Sequence, residues 1–261
     1  MQGENLVIHK LFDETAKKFP DKIASEIKKD NHWLTFTYRQ LQLRSLEVAA
    51  FLIKEGFKKG DFASLILENR PEWPMIYLGI VRAGLTCVPL DPALHQLELK
   101  ALIADSGAKV VFCSNEVFIN KISASGGNLI KVVLLDSQEA AGGNIIRFSD
   151  IENISADNAL YPEASCDDAA SLIYTSGTTA SPKGVVLSHK NISSDATNLR
   201  KLNLFLSSDN VLSILPLYHT YSFMVTLILP LFVGAKIIYC QSFKSQDLRT
   251  IIREDGVTIL V

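Results

Sequence analysis

Residues 56–92 read GFKKGDFASLILENRPEWPMIYLGIVRAGLTCVPLDP. Phe62 to Leu67 is a short apolar run between turn signals, which predicts a buried strand. Pro71 suits the start of a helix, and the apolar spacing beyond it carries that helix to Gly84. Thr86 to Pro89 then predicts a second strand. Strand, helix and strand in this order make a βαβ unit. The strands lack strict alternation, as expected when helices cover both faces of a parallel sheet.

The same pattern extends both ways. Upstream, Ile8, Leu11, Phe12, Thr15, Ala16 and Phe19 recur at helical spacing until Pro20. Thr37 and Gln40 form a capping box, so a helix follows, burying Leu46, Ala49, Ala50 and Ile53 and ending at Gly56. Downstream, a helix over 96–105 stops at Gly107, and strands follow at 109–113 and 130–135. From Asp136 to Asp168 there are eight acidic residues and one basic residue, which reads as a solvated connector with a short strand at 145–148. Beyond it the pattern predicts strands at 171–175, 184–187, 211–214, 236–239 and 257–261, and helices over 190–202, 222–232 and 245–255. The expected fold class is therefore α/β, with two lobes of largely parallel sheet flanked by helices. The first lobe covers 1–135, with an N-terminal helix that can pack on the second lobe. The connector covers 136–168 and the second lobe 169–261.

The chain has 261 residues, 48% hydrophobic and 21% charged, a globular mix that excludes a disordered chain. The net charge of −2 gives nucleic-acid binding no electrostatic footing. Cysteines 87, 113, 166 and 240 form no C-x-x-C pair and no metal-ligand spacing with histidine, so free thiols in a reducing cytoplasm are expected, and no metal site. The opening MQGENLVIHKLFDETAKKFP is too charged for a signal peptide. Val211 to Ala235 carry no charged residue, a length that could span a bilayer. Ser213, Pro216, Tyr218 to Ser222 and Pro230 interrupt it, so two buried elements joined by a polar turn are expected instead.

The chemistry gathers in residues 174–185, YTSGTTASPKGV. Thr175, Ser176, Thr178, Thr179 and Ser181 supply hydroxyls, Gly177 and Gly184 allow close backbone approach, and Lys183 supplies an ammonium. That set can cradle a multiply charged anion at the C-terminal end of a buried strand. On composition alone, a Ser/Thr-rich surface turn is equally open. It is not a Walker loop, because counting from Gly177 places Pro182 where the second glycine belongs. His219 beside an apolar run is by itself an ordinary structural group. His189 reads as a helix-start residue, and His9, His32 and His95 have no partner visible in the sequence.

The string from Thr175 to Gly184 closely resembles the phosphate-binding signature of the adenylate-forming enzymes: acyl-CoA synthetases, peptide-synthetase adenylation domains and luciferases. Residues 56–92, ELKALIADSGAKVVF (98–112) and LPLYHTYSFM (215–224) resemble the N-terminal part of acyl-CoA synthetases. The resemblance implies a two-step ligase. A carboxylate attacks the α-phosphate of Mg²⁺-bound ATP to give acyl-AMP and pyrophosphate, and coenzyme A then displaces AMP. It implies that Thr175, Ser176, Gly177, Thr178, Thr179 and Lys183 surround the β- and γ-phosphates. It places His219 beside the acid and the nascent adenylate as the catalytic candidate. Tyr221, Ser222, Phe223 and Met224 would line the acyl pocket, with core packing an equal alternative for Phe223 and Met224. Ala180 departs from the family's usual glycine. A positive φ there would cost about 1–2 kcal/mol.

Matched to the family, the chain corresponds to about the first half of the enzyme, so a fragment that is inactive alone is expected. The expected parent is a ligase for medium or long fatty acids. A lipid-like acid implies peripheral membrane contact, and an unfinished second lobe implies self-association through 205–261. An amino-acid-activating domain is the alternative, although its loop commonly reads TSGSTG and it lacks the PLYHTY type of segment. A non-catalytic nucleotide- or phosphate-binding fragment is the other.

Overall fold

The computed structural model describes residues 6–29, 32–115, 117–122, 129–137, 143–152, 154–155, 159–175, 182–240 and 245–261. In chain order the elements are α1 (Ile8–Lys18), β1 (Ile23–Lys29), β2 (His32–Thr37), α2 (Tyr38–Lys54), β3 (Phe62–Ile66), α3 (Glu72–Arg82), β4 (Thr86–Pro89), α4 (Gln96–Ser106), β5 (Val110–Cys113) and α5 (Val117–Ile122). Then come β6 (Lys131–Leu134), β7 (Ile145–Arg147), a 3₁₀ turn (Phe148–Asp150), β8 (Ala169–Thr175), β9 (Lys183–Ser188), α6 (His189–Lys201) and β10 (Asn210–Ser213). The chain closes with α7 (Thr220–Phe223), a π turn (Met224–Ile228), α8 (Leu229–Val233), β11 (Lys236–Tyr239), α9 (Ser245–Glu254) and β12 (Ile259–Leu260).

Two compact units result. One comprises Met1–Leu43, Asn69–Met75 and His189–Val261, the other Arg44–Glu68 and Ile76–Ser188. The second unit is built on a seven-stranded sheet of order β7-β6-β5-β3-β4-β8-β9. β3 lies at its centre, parallel to β4 and β5, as the opening βαβ pattern requires. Val88, Leu90, Leu99, Ile103, Val111, Leu134 and Leu172 close one face of this sheet into a core. Only β9 runs antiparallel, folding back along β8.

The first unit is built on a five-stranded sheet of order β12-β10-β11-β1-β2. The capping box at the start of α2 forms as expected: the Gln40 N–H donates to Thr37 Oγ1 at 3.2 Å, and the Thr37 N–H donates to Gln40 Oε1 at 2.8 Å. α1 packs against α6 and α8. The Thr15 hydroxyl donates to the Phe232 carbonyl at 3.1 Å. The Ile8 N–H donates to His189 Nδ1 at 3.3 Å, which accounts for a histidine at the start of α6.

Three expectations need correction. The β1–β2 hairpin was not legible as strand. β1 pairs in parallel with β11, Ser25 opposite Ile237, so β1 and β2 complete the sheet of the C-terminal part of the chain. Conversely, β8 pairs with β4 at Cys87 and Ser171, so β8 and β9 belong to the sheet of the other unit. The chain therefore does not divide at 136–168. Strand pairing over such separations leaves no mark in linear order. Finally, the helix expected over 222–232 begins at Thr220 and widens into a π turn at Met224–Ile228. Pro230 explains this: its ring crowds the carbonyl four residues back, and it offers no N–H to it.

No helix among the described residues is long and apolar enough to cross a membrane. The four cysteines are free thiols, with Cys87, Cys113 and Cys240 buried and Cys166 partly exposed. Burial also pushes the Cys87 thiol well above its ordinary pKa. A water-soluble thiol reagent is thus expected to modify Cys166 in the native protein, and Cys87 only as the chain unfolds. Peptide mapping after timed labelling reads this out, and equal rates at Cys87 and Cys166 would contradict the described packing.

Candidate active site

In the second unit, β8 rises through the sheet and leaves it at Thr175. Its neighbour β4 runs parallel to it, so Thr175 stands at the carboxyl end of the parallel strands, where open α/β sheets bind ligands. β9 starts again at Lys183, with Thr175 and Lys183 opposite one another in the antiparallel pair. The Thr175 hydroxyl donates to the Lys183 carbonyl at 3.4 Å. Both residues are exposed. Ser176, Gly177, Thr178 and Thr179, with Ala180 and Ser181, lie outside the described residues, so the structure reports on the two ends of the loop.

Those ends are anchored. The Tyr174 phenol donates to Asp105 Oδ2 at 2.6 Å, tying the strand end to α4. Burial, reinforced by this bond, holds the Tyr174 phenol well above its ordinary pKa, so it remains a donor. Opposite Tyr174 sits Gly184. A Cβ on Gly184 would stand 2.8 Å from Leu172 Cδ1 and 3.3 Å from Tyr174 Cε1, so the Leu172 methyl would have to shift and the ring contact would be tight. A glycine here lets the hairpin close over the Tyr174 ring. Tyr174→Phe is expected to lower stability by about 1 kcal/mol, the worth of one hydrogen bond to an exposed carboxylate. Urea denaturation checks this, and an unchanged midpoint would show that Asp105 does not anchor the hairpin.

The first unit holds the His219 segment. β10 ends at Ser213, the chain turns through Pro216, and His219 caps α7 in an extended conformation. His219 and Tyr221 are exposed. Ser222 and Phe223 are buried. The Ser222 hydroxyl reaches the carbonyls of Pro216 and His219. The Phe223 ring lies 5.9 Å from that of Trp73. His219, the expected catalytic candidate, and Tyr221, one of the expected pocket residues, are therefore at the surface. Ser222 braces the turn, and Phe223 and Met224 are buried.

Two contributors were missed in the sequence. Asn69 bonds to Ser213, Leu215 and Leu217, some 144–148 positions away, and no local signal marks it. His95 caps α4: its Nδ1 accepts from the Leu97 N–H at 3.4 Å, while its own N–H donates to Glu98 Oε2 at 3.0 Å. An imidazole is not among the usual capping side chains, although Glu98 three residues on was a readable sign.

Residues 12–261 match the family model for AMP-binding enzymes. The chain belongs to that adenylate-forming family. It is 32% identical over 231 residues to 4-coumarate–CoA ligase 3 of Arabidopsis thaliana, covering 86% of this chain and 40% of the relative. Its fold is that of the Mycobacterium tuberculosis fatty acyl CoA synthetase, with a TM-score of 0.84 and 24% identity over 97% of this chain and 48% of the other. It also resembles VinN in complex with L-aspartate, with a TM-score of 0.82 and 24% identity, covering 97% of this chain and 60% of that one. The chain spans less than half the length of the curated relatives it matches.

Proposed function

We propose that this chain supplies the phosphate-gripping and acid-facing parts of an ATP-dependent ligase that joins a medium- or long-chain fatty acid to coenzyme A. The observation that carries the reading is the β8–β9 hairpin, which sets Thr175 and Lys183 opposite each other at the two ends of the family's signature string. In the first step a carboxylate oxygen of the acid bonds to the α-phosphorus of ATP, and the bond to pyrophosphate breaks. The Lys183 ammonium and the Thr175 hydroxyl, with Ser176, Gly177, Thr178 and Thr179, would meet the charge gathering on the leaving pyrophosphate. His219 and Tyr221 would face the acid, backed by Ser222 and Phe223. In the second step the coenzyme A sulfur bonds to the acyl carbon, and AMP leaves.

Among the described residues no group of three or more His, Cys, Asp or Glu side chains is placed to hold a metal. Mg²⁺ would arrive bound to the nucleotide substrate. A cytoplasmic setting fits the four free thiols. Exposed Leu204, Leu206 and Leu260 support contact with an apolar surface, whether a membrane bearing the acid or a second copy.

The acid is the part to test. Acid-dependent exchange of labelled pyrophosphate into ATP, run on full-length protein with fatty acids, hydroxycinnamates, oxalate and amino acids, ranks the classes. The fatty acids are expected to give the highest kcat/KM. A preference for 4-coumarate would replace the fatty-acid reading with an aryl-acid one, which the similarity to 4-coumarate–CoA ligases favours. No exchange with any acid would overturn the ligase reading.

A further inference from the structure

Asn69 lies between β3 and α3, and its side chain acts as a missing piece of backbone. Its Nδ2 donates to the Leu215 carbonyl at 2.8 Å and lies 3.3 Å from the Ser213 carbonyl and 3.2 Å from Ser213 Oγ. Its Oδ1 accepts from the Leu217 N–H at 3.0 Å. Where β10 ends, one amide thus takes over the pairing a neighbouring strand would have supplied.

The bonds continue inward with a fixed direction. The Thr226 hydroxyl donates to the Ser222 carbonyl at 2.8 Å, so its lone pair is left for the Ser213 hydroxyl, 3.1 Å away. Ser213 therefore donates to Thr226 and accepts from Asn69. Ser213 and Thr226 are fully buried, so water cannot substitute for either bond. The chain runs from the Asn69 amide through Ser213 and Thr226 to the carbonyl of Ser222, which braces the turn bearing His219. It needs a donor at position 69 toward Ser213 and Leu215, and an acceptor toward Leu217. A carboxylate of the same shape would draw the Ser213 proton back and face two carbonyl oxygens.

We propose that Asn69 is a positioning residue that sets the 213–222 segment and, through it, where His219 and Tyr221 stand. Its effect on catalysis rests on the reading that His219 and Tyr221 face the acid.

Two measurements separate the layers. On this chain, hydrogen exchange at the Leu217 amide and the NMR signals of the His219 ring report the segment directly. Asn69→Ala and Asn69→Asp are each expected to speed exchange at Leu217 by about tenfold or more relative to Leu212 in β10. They should also move the His219 ring signals while those of His189 stay in place. The isosteric Asp should rescue nothing. The milder Ser213→Ala, which removes the Ser213 hydroxyl from both Asn69 and Thr226 but leaves Asn69 bonded to Leu215 and Leu217, should move His219 less and leave Leu217 protected. Unchanged Leu217 exchange and His219 signals in the Asn69 variants would overturn the proposal. In full-length protein, Asn69→Ala is expected to raise KM for the acid by about tenfold and KM for ATP by less than about twofold. An equal rise in both, or a fall in kcat alone, would reduce Asn69 to a structural residue. If the unsubstituted protein performs no acid-dependent exchange, the ligase reading fails, and the exchange and NMR results still decide what Asn69 does.

Discussion

On the proposed function, Lys183→Ala is expected to slow adenylation by about 10²–10³-fold, the usual effect of removing one preorganised group that stabilises transition-state charge. Lys183 is the first residue of β9 and is exposed, so truncation takes no packing from the sheet. Its backbone stays in register with Thr175 whatever side chain it carries. The melting temperature should therefore hold while the rate falls. Lys183→Arg should recover little, because a flexible ammonium and a planar fork do not present the same charge at the same point. Measuring kcat/KM for ATP beside the melting temperature decides the matter. Normal kinetics with a large loss of melting temperature would make Lys183 a structural residue and remove the strongest functional assignment in the second unit.

The largest stability effect is expected at Gly79. A Cβ there would stand 2.5 Å from both Cβ and Cγ1 of Val48 and 3.0 Å from the Ser45 carbonyl. Val48 is fully buried, and its Cβ is fixed to the backbone of α2, so no rotamer change relieves the clash. Glycine in a helix interior costs up to about 1 kcal/mol against alanine, so α3 carries it for this close approach. Gly79→Val forces the helices apart and should cost about 3 kcal/mol or more. Urea denaturation measures the loss, and a change within about 0.5 kcal/mol, the range of an indifferent surface site, would mean that α2 and α3 do not pack as described.

The parts legible in the sequence were those whose cause is local. The βαβ unit at 62–89 announces itself through two apolar runs and a proline-started helix, and Thr37 and Gln40 through their three-residue spacing. The string from Thr175 to Gly184 was legible as a resemblance, and the structure adds how its two ends are held. What was not legible depends on distant partners. β1 contains Glu26, which breaks its apolar pattern and is tolerated only because Lys236 lies 2.6 Å from it, 210 positions on. β8 sits in a sheet with strands on the far side of an acidic connector, which composition alone presents as a boundary. Asn69 looks like any polar residue before a helix until Ser213 to Leu217 arrive beside it. The π turn is a compromise between a helical segment and Pro230, and spacing rules describe only the helix.

The most direct test of the central claim is the product formed from ATP and a fatty acid when coenzyme A is withheld. Phosphorus NMR distinguishes pyrophosphate from phosphate, and mass spectrometry identifies the nucleotide product. The full-length protein is expected to release pyrophosphate and retain one acyl-AMP per active site, which turns to thioester and AMP once coenzyme A is added. Release of ADP and phosphate, or of AMP with no acyl-AMP at any stage, would contradict an adenylating role for the segment from Thr175 to Lys183.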